Sequence, residues 1–187
     1  MSLYRINFEE LYRRHLCRHG HFGINVMHLL AVYGVYFGLL GFVGQLVDMA
    51  GGHSLFVLPI LITPWFLLVA ANCPLGVTLL TLINVAGLVA LQWALPPLPW
   101  WMLLAWPVVI VGSHRFQQWG HGIYRMHRDM SAFKEKYPKG LMLFTVLLIY
   151  ELPILLHYLA FGKADWLMGK EEVIDPSVAA AMAEAGA

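Results

Sequence analysis

Long apolar segments alternate with short polar, glycine-rich or proline-rich breaks along most of this chain. Five segments are apolar enough for a helix inside a bilayer, namely residues 24–47, 54–71, 75–95, 100–113 and 141–161. A bilayer core of about 30 Å needs roughly 20 apolar residues in helical form. The fourth segment is short, and its helix is expected to continue through His121. The pattern predicts an all-α fold, a polytopic membrane helix bundle with about five transmembrane helices.

The two ends of the chain differ from this central part. The first residues are polar and amphipathic, whereas the end of the chain carries acidic residues and then a run rich in alanine. We therefore expect residues 1–162 to form a membrane helix bundle that includes an N-terminal amphipathic segment. Residues 163–187 are expected to form a C-terminal tail, for which the sequence predicts no regular structure.

Composition supports lipid as the solvent of this chain. Its 187 residues are 59% hydrophobic and 12% charged, whereas a typical soluble domain is about half apolar and about a quarter charged. The net charge of +1 gives no field that favours a nucleic acid. The expected surroundings are membrane lipid, and no nucleic-acid partner is expected.

The placement of basic residues predicts the orientation in the membrane. No Lys or Arg occurs from position 19 to position 114, and ten of the twelve lie before or just after that stretch. Four crossings return the chain to its starting side, so these ten share one face, which the positive-inside rule makes cytoplasmic. The N-terminus is expected in the cytoplasm, with the protein in the inner membrane of a bacterium or the endoplasmic reticulum of a eukaryote. A fifth crossing would place the tail, with Lys163 and Lys170, on the other side.

Histidines cluster in two windows that this topology brings to one membrane face. Seven of the nine lie there: His15, His19, His21 and His28 in the first window, and His114, His121 and His127 in the second. Neutral imidazole is the commonest metal ligand and suits zinc, copper and iron. Helix bundles build metal sites from side chains on facing helices. His15 and His19 are four residues apart, and both His21 and His28 and His114 and His121 are seven apart, so two helices could each present a column of imidazoles to a common centre. We predict a metal site at His19, His28 and His121, with His21 and His114 as further ligand candidates.

Several of these residues also have ordinary interpretations. A single interfacial histidine is usually solvated or hydrogen-bonded, and we assign His15, His53 and His127 to that group. His28 lies inside the first span, where a polar side chain is costly and is usually functional. Glu151 lies in the fifth apolar segment, where a ligand, a proton relay and a structural hydrogen bond all remain open. The basic residues around Arg125 predict either a site for a fatty carboxylate or a solvated loop.

The segment Phe116-Gln-Gln-Trp-Gly-His-Gly-Ile-Tyr124 resembles the Gln-x-x-Gly-His-Gly-x-aromatic motif of the 2-hydroxy fatty acid dioxygenases, which are small membrane proteins. Their first span also begins with two histidines nine residues apart and an Asn between them, as His19, Asn25 and His28 do here. The resemblance implies Fe(II) as cofactor and a long-chain 2-hydroxy fatty acid and molecular oxygen as substrates. It implies shortening of the acid by one carbon, and catalytic roles for His19, His28, His121 and Gln117. Asn25 and Arg125 are candidates for binding the substrate.

Two other functions remain open from the sequence. A di-iron hydroxylase or desaturase needs several paired-histidine boxes, and this chain has a single His-x-x-x-His at His15 and His19. A b-type haem protein needs two axial histidines, for which His28 and His121 would serve. The sequence leaves the oligomeric state open.

Overall fold

The chain folds into helices joined by short turns. The structure is a computed structural model that describes residues 5–124, 133, 136–138 and 140–168. Within these residues the regular structure is entirely helical, which confirms the predicted all-α class. We number the α-helices α1 to α7, and a 3₁₀ helix, Trp100–Leu104, leads into α5. Their bounds are α1 Phe8–His19, α2 Phe22–Met49, α3 Ser54–Asn72, α4 Leu75–Trp93, α5 Ala105–Ile123, α6 Leu141–Ala160 and α7 Lys163–Met168.

Helix α1 is the predicted amphipathic segment. The side chain of Asn7 caps it by accepting a hydrogen bond of 3.1 Å from the backbone N–H of Glu10. Glu9 and Glu10 in the first turn complement the positive end of the helix dipole. Leu11 and Tyr12 are buried, whereas the side chain of Arg13 is 69% exposed. One face of α1 therefore packs on the bundle and the other meets solvent.

Four helices are long and apolar enough to cross a membrane: α2, α3, α4 and α6. They are the helices expected from the first, second, third and fifth apolar segments, and they make the chain a membrane protein by length and composition. The predicted count of about five is not confirmed by this measure. Helix α5 falls short because its second half is polar, with Ser113, His114, Arg115 and two glutamines in six consecutive residues.

Glycines on one face of α2 bring α5 unusually close. A Cβ at Gly34, Gly38 or Gly41 would lie within 3.0 Å of an atom of α5. Such small residues let two membrane helices approach closely. The partners run in the opposite order along α5, from Trp106 beside Gly41 to Tyr124 beside Gly23, so the two helices are antiparallel. This pairing carries His121 back to the beginning of α2.

Helix α6 is the most buried of the four long apolar helices. Pro153 has no N–H, and its helical partner would be the carbonyl oxygen of Ile149. The indole Nε1–H of Trp65 on α3 donates to that oxygen at 3.2 Å. This bond satisfies a carbonyl that would otherwise lie unpaired inside the bundle, where an unsatisfied backbone group costs several kcal/mol. The proline thus fixes α6 against α3.

The residues that precede α6 and the end of α6 both contact the region of α1. Before α6, Lys136 forms an ion pair with Glu10, and the guanidinium of Arg14 lies 5.8 Å from the ring centre of Tyr137. At its other end, the hydroxyl of Tyr158 donates to the carbonyl oxygen of Gly20 at 3.0 Å. Helix α7 then returns to α1, where the Tyr12 hydroxyl donates to Asp165 at 2.5 Å. The first residues of the predicted tail therefore dock on α1.

Candidate metal centre

Three imidazoles from three helices meet at one point. His19 is the last residue of α1, His28 lies in the second turn of α2 and His121 lies in the last turn of α5. One ring nitrogen from each lies within 4.8 Å of the others, and among the described residues this is the one group suited to hold a metal ion. The Nε2 atoms of His19 and His121 are 3.3 Å apart. The three residues that the sequence ranked first as ligands are thus brought together.

The corner between α1 and α2 positions the first two imidazoles. Asn25 is fully buried, and its amide donates to the carbonyl oxygens of His19 and His21. Its Oδ1 lies 2.8 Å from Nε2 of His15. The side chain of His21 caps α2, since its Nδ1 accepts from the backbone N–H of Gly23 at 3.0 Å. These bonds satisfy the free backbone groups where one helix ends and the next begins.

His19 has the protonation state that a ligand needs. Its Nδ1 lies 3.3 Å from the carbonyl oxygen of His15. A proton on Nδ1 donates to that oxygen and leaves the lone pair of Nε2 toward His121. Burial lowers the pKa of His15 to about 4 and holds the pKa of His19 well below its ordinary value. Both rings are therefore neutral at pH 7, and metal binding requires the neutral ring.

His28 supplies a test of whether a metal fits the group. The residue is 1% exposed, and its Nε2 is buried without a hydrogen-bond partner among the residues that the structure describes. A buried polar atom that lacks a partner costs about 1–3 kcal/mol. A metal ion held by the three imidazoles would satisfy this nitrogen. The donor set contains no thiolate, and imidazole nitrogen suits iron, zinc, copper and nickel, so the residues fit a divalent transition metal.

A second layer of side chains backs His28. Its Nδ1 lies 3.4 Å from Oε1 of Glu151 on α6 and 3.2 Å from Nε2 of Gln117 on α5. The Gln117 amide also donates to that carboxylate oxygen at 2.6 Å. Carboxylate and amide groups behind a metal-binding histidine orient its ring and fix its tautomer. Gln117 therefore lies behind the imidazoles and does not join them.

Other sequence-predicted residues lie outside the group. His21 is used in the cap of α2 and stacks on Tyr124 with ring centres 4.6 Å apart. His114 is exposed on α5, and His53 is exposed before α3. The polar atoms of Asn25 contact protein groups at the corner. Arg125, proposed to bind substrate, and His127 lie outside the described residues.

Sequence reasoning missed two contributors to the site. His15 was interpreted as a solvated or hydrogen-bonded residue, and it is hydrogen-bonded to Asn25. Its contact with the site was not foreseen: it is buried and stacks on His19 with ring centres 4.3 Å apart. Its four-residue spacing from His19 was the available signal. Tyr158 was not singled out, and its bond to Gly20 holds the corner from the side of α6. A tyrosine inside an apolar helix gave no signal of that role.

The comparisons with known proteins add no family. No family model, curated protein or solved structure matches the chain. Three converging imidazoles, of which His121 is half-exposed, can bind a metal and leave positions open for other ligands. That chemistry is the starting point for a functional assignment.

Proposed function

We propose that this chain is an Fe(II)-dependent membrane dioxygenase that shortens long-chain 2-hydroxy fatty acids by one carbon. The observation that carries the proposal is the convergence of His19, His28 and His121 around a buried Nε2 with no protein partner. His121 belongs to the Gln117-x-x-Gly-His-Gly segment, whose resemblance supplies the substrate class. The geometry supports the ligand set, and the resemblance supports the reaction.

The chain's own residues would divide the work. The three imidazoles would hold the ion, and bound Fe(II) would supply oxygen binding and a centre that a 2-hydroxy carboxylate can chelate. His15 and Glu151 orient two of the rings from behind. Exposed apolar side chains at the same end of the bundle, Phe22, Trp119 and Ile123, support an acyl chain lying along the helices in lipid.

The proposed reaction balances without a further reductant. The bond between C1 and C2 of the 2-hydroxy acid breaks, C2 is oxidised from an alcohol to a carboxylic acid, and C1 leaves as carbon dioxide. Molecular oxygen is reduced, with one oxygen atom entering the new acid and the other leaving as water. A site with one metal and no electron-transfer partner is sufficient for that balance. This balance requires the described residues only to bind the metal ion.

We further propose that four helices cross the membrane, and that α5 with its 3₁₀ lead is the fourth. Helix α5 follows α2 from Gly41 to Gly23, a length of about 27 Å at 1.5 Å per residue. In this proposal α6 does not cross: Tyr137, which precedes α6, lies beside Arg14 of α1, and Tyr158 near the end of α6 donates to Gly20 at the end of α1. This replaces the expected fifth crossing and places Lys163 beside the N-terminal bases. The basic residues in the described part of the chain, Lys163 included, would then share the cytoplasmic side.

An activity assay with purified protein tests the proposed function. Purified protein with Fe(II) and oxygen is given a long-chain 2-hydroxy fatty acid, and mass spectrometry follows the products. We expect the acid that is one carbon shorter, and no change in the unsubstituted fatty acid, which lacks the second chelating oxygen. His121→Ala should abolish the product, whereas His114→Ala, a matched change on the same helix, should retain it. Hydroxylation or desaturation of the plain acid would instead support a di-iron enzyme.

The haem alternative is less favoured by the ring packing. The ring centres of His28 and His121 lie 4.8 Å apart, and His19 lies within 4.9 Å of each. A porphyrin plane between two axial imidazoles has no room in this arrangement. A visible spectrum of the purified protein, oxidised and reduced, separates the two functions directly.

A further inference from the structure

The carboxylate of Glu151 lies beside Nδ1 of His28, one of the three imidazoles of the proposed metal site. We propose that Glu151 is a positioning residue that fixes the tautomer of His28, so that Nε2 keeps its lone pair for the metal. The inference deepens the proposed metal site and rests on it. Its basis is a competition between two side chains for the same nitrogen, Nδ1 of His28.

The two competitors impose opposite tautomers. The carboxylate oxygen of Glu151, 3.4 Å from Nδ1, can only accept a hydrogen bond. It therefore requires the proton on Nδ1 and leaves Nε2 free. The amide nitrogen of Gln117, 3.2 Å from the same atom, can only donate. A bond from this amide to Nδ1 would move the ring proton to Nε2, and that form cannot bind a metal.

The distances decide between them. The Gln117 amide lies 2.6 Å from Oε1 of Glu151, which is closer than its 3.2 Å to the imidazole. Hydrogen bonds to a charged acceptor are about twice as strong as neutral ones, so one of the two amide N–H groups is directed to the carboxylate. A lone pair on Nδ1 would also face the carboxylate oxygen and be repelled by it. Glu151 thus engages one of the two N–H groups of the Gln117 amide, and its oxygen facing Nδ1 favours the tautomer in which the ring proton lies on Nδ1.

Solvent does not replace Glu151 as the hydrogen-bond acceptor at Nδ1 of His28. His28 is 1% exposed, and the Glu151 side chain is 21% exposed. The Tyr36 hydroxyl, a further polar group on α2, already donates to the carbonyl oxygen of Leu148 at 2.7 Å. Among the described residues, Glu151 is the one acceptor placed at Nδ1. Its removal should therefore leave the Gln117 amide as the partner of that nitrogen.

The first test reads the tautomer without any metal. Nitrogen-15 NMR of metal-free protein with labelled histidine reports which ring nitrogen of His28 carries the proton. We expect Nδ1–H in the native chain and Nε2–H in Glu151→Met, a change of similar volume that removes the acceptor. Glu9→Gln, which removes a carboxylate from an exposed pair with Arg13, is the matched control and should leave the tautomer unchanged. A native Nε2–H tautomer would overturn the proposal.

The second test measures Zn²⁺ affinity by competition with a chelating dye. Loss of a group behind a metal ligand typically lowers affinity 10–100-fold, and we expect that loss for Glu151→Met. The double variant Gln117→Met/Glu151→Met removes both competitors, so affinity should recover by several-fold over Glu151→Met. A double variant that binds as weakly as, or more weakly than, the single one would refute the competition.

These two measurements distinguish the positioning role of Glu151 from a direct role as metal ligand and from failure of the proposed reaction. If Glu151 itself bound the metal, Glu151→Met would lose Zn²⁺ affinity while the metal-free tautomer stayed Nδ1–H, and the positioning role would be wrong. If the proposed oxygenase reaction fails, both the tautomer and the zinc affinity can still be measured. A folding defect in Glu151→Met would appear in its circular dichroism, and the NMR and affinity comparison would then use Glu151→Leu together with its Gln117→Met double variant.

Discussion

Gly41→Ala tests whether the close approach of α5 to α2 builds the metal site. A Cβ at Gly41 would lie 2.6–2.7 Å from three carbons of the Trp106 ring. Carbon atoms in contact prefer about 3.5–4.0 Å, so the ring must retreat by about 1 Å. Trp106 is 5% exposed and donates to Gln45 at 2.8 Å, which holds the ring in place. The helix itself must move, and overpacking of this kind costs about 1–3 kcal/mol.

Gly112→Ala on α5 is the matched control, because its Cβ would meet nothing within 4 Å. Both variants gain about 1 kcal/mol of helix propensity, so their difference isolates the clash. Thermal unfolding in detergent should place Gly41→Ala below Gly112→Ala. Zinc affinity should fall in Gly41→Ala alone, since a ligand at His121 must stay within about 0.2 Å of its bonding distance. Equal stability and equal affinity in the two variants would refute the reasoning.

Three further predictions follow from the site and the fold. His19→Ala, His28→Ala and His121→Ala should each lose most bound metal in elemental analysis, whereas His53→Ala should keep it. Trp65→Phe should lower the free energy of unfolding by about 1–3 kcal/mol, because it leaves the Ile149 carbonyl unpaired. The control Trp93→Phe, at an exposed position, should change the free energy of unfolding little. Equal effects of the two substitutions would contradict the role given to the bond between Trp65 and Ile149. Topology can be tested with a membrane-impermeant thiol reagent in a chain in which Cys17 and Cys73 are replaced. The reagent should label Arg5→Cys and Lys163→Cys from one side of the membrane and His53→Cys from the other. Labelling of position 163 together with position 53 would show that α6 crosses.

Much of the bundle was predictable because lipid imposes simple rules. Unpaired backbone groups are not tolerated in hydrocarbon, so an apolar run of the right length must be a helix. This gave α2, α3, α4 and α6 within a few residues of their ends. The position proposed for α6 at one face of the membrane was not predictable from the sequence, because its length and composition match those of a crossing helix. Its contacts with α1 depend on individual side chains such as Tyr158, whose partner lies 138 positions away.

The proposed metal site likewise has features that could be predicted from the sequence and features that could not. Spacing and sidedness were enough to single out His19, His28 and His121, because a shared membrane face limits how far apart they can lie. Spacing also suggested His21 and His114 at seven-residue intervals, but such a pair is separated by about 10.5 Å along a helix at 1.5 Å per residue. One compact site cannot use both members of such a pair. The orienting groups were not predictable, since Gln117 and Glu151 meet only after α5 and α6 pack.

The distribution of the three imidazoles along the chain has a consequence for biosynthesis. His19 and His28 are separated by nine positions, but His121 enters the chain 93 residues after His28. Until α5 has been inserted beside α2, the nascent protein offers two of the three nitrogens and binds a metal weakly. Uptake of the proposed metal ion would thereby be delayed until the bundle is nearly complete. Once bound, the ion would stabilise the assembled state over every partly inserted one, because only that state would bind it tightly.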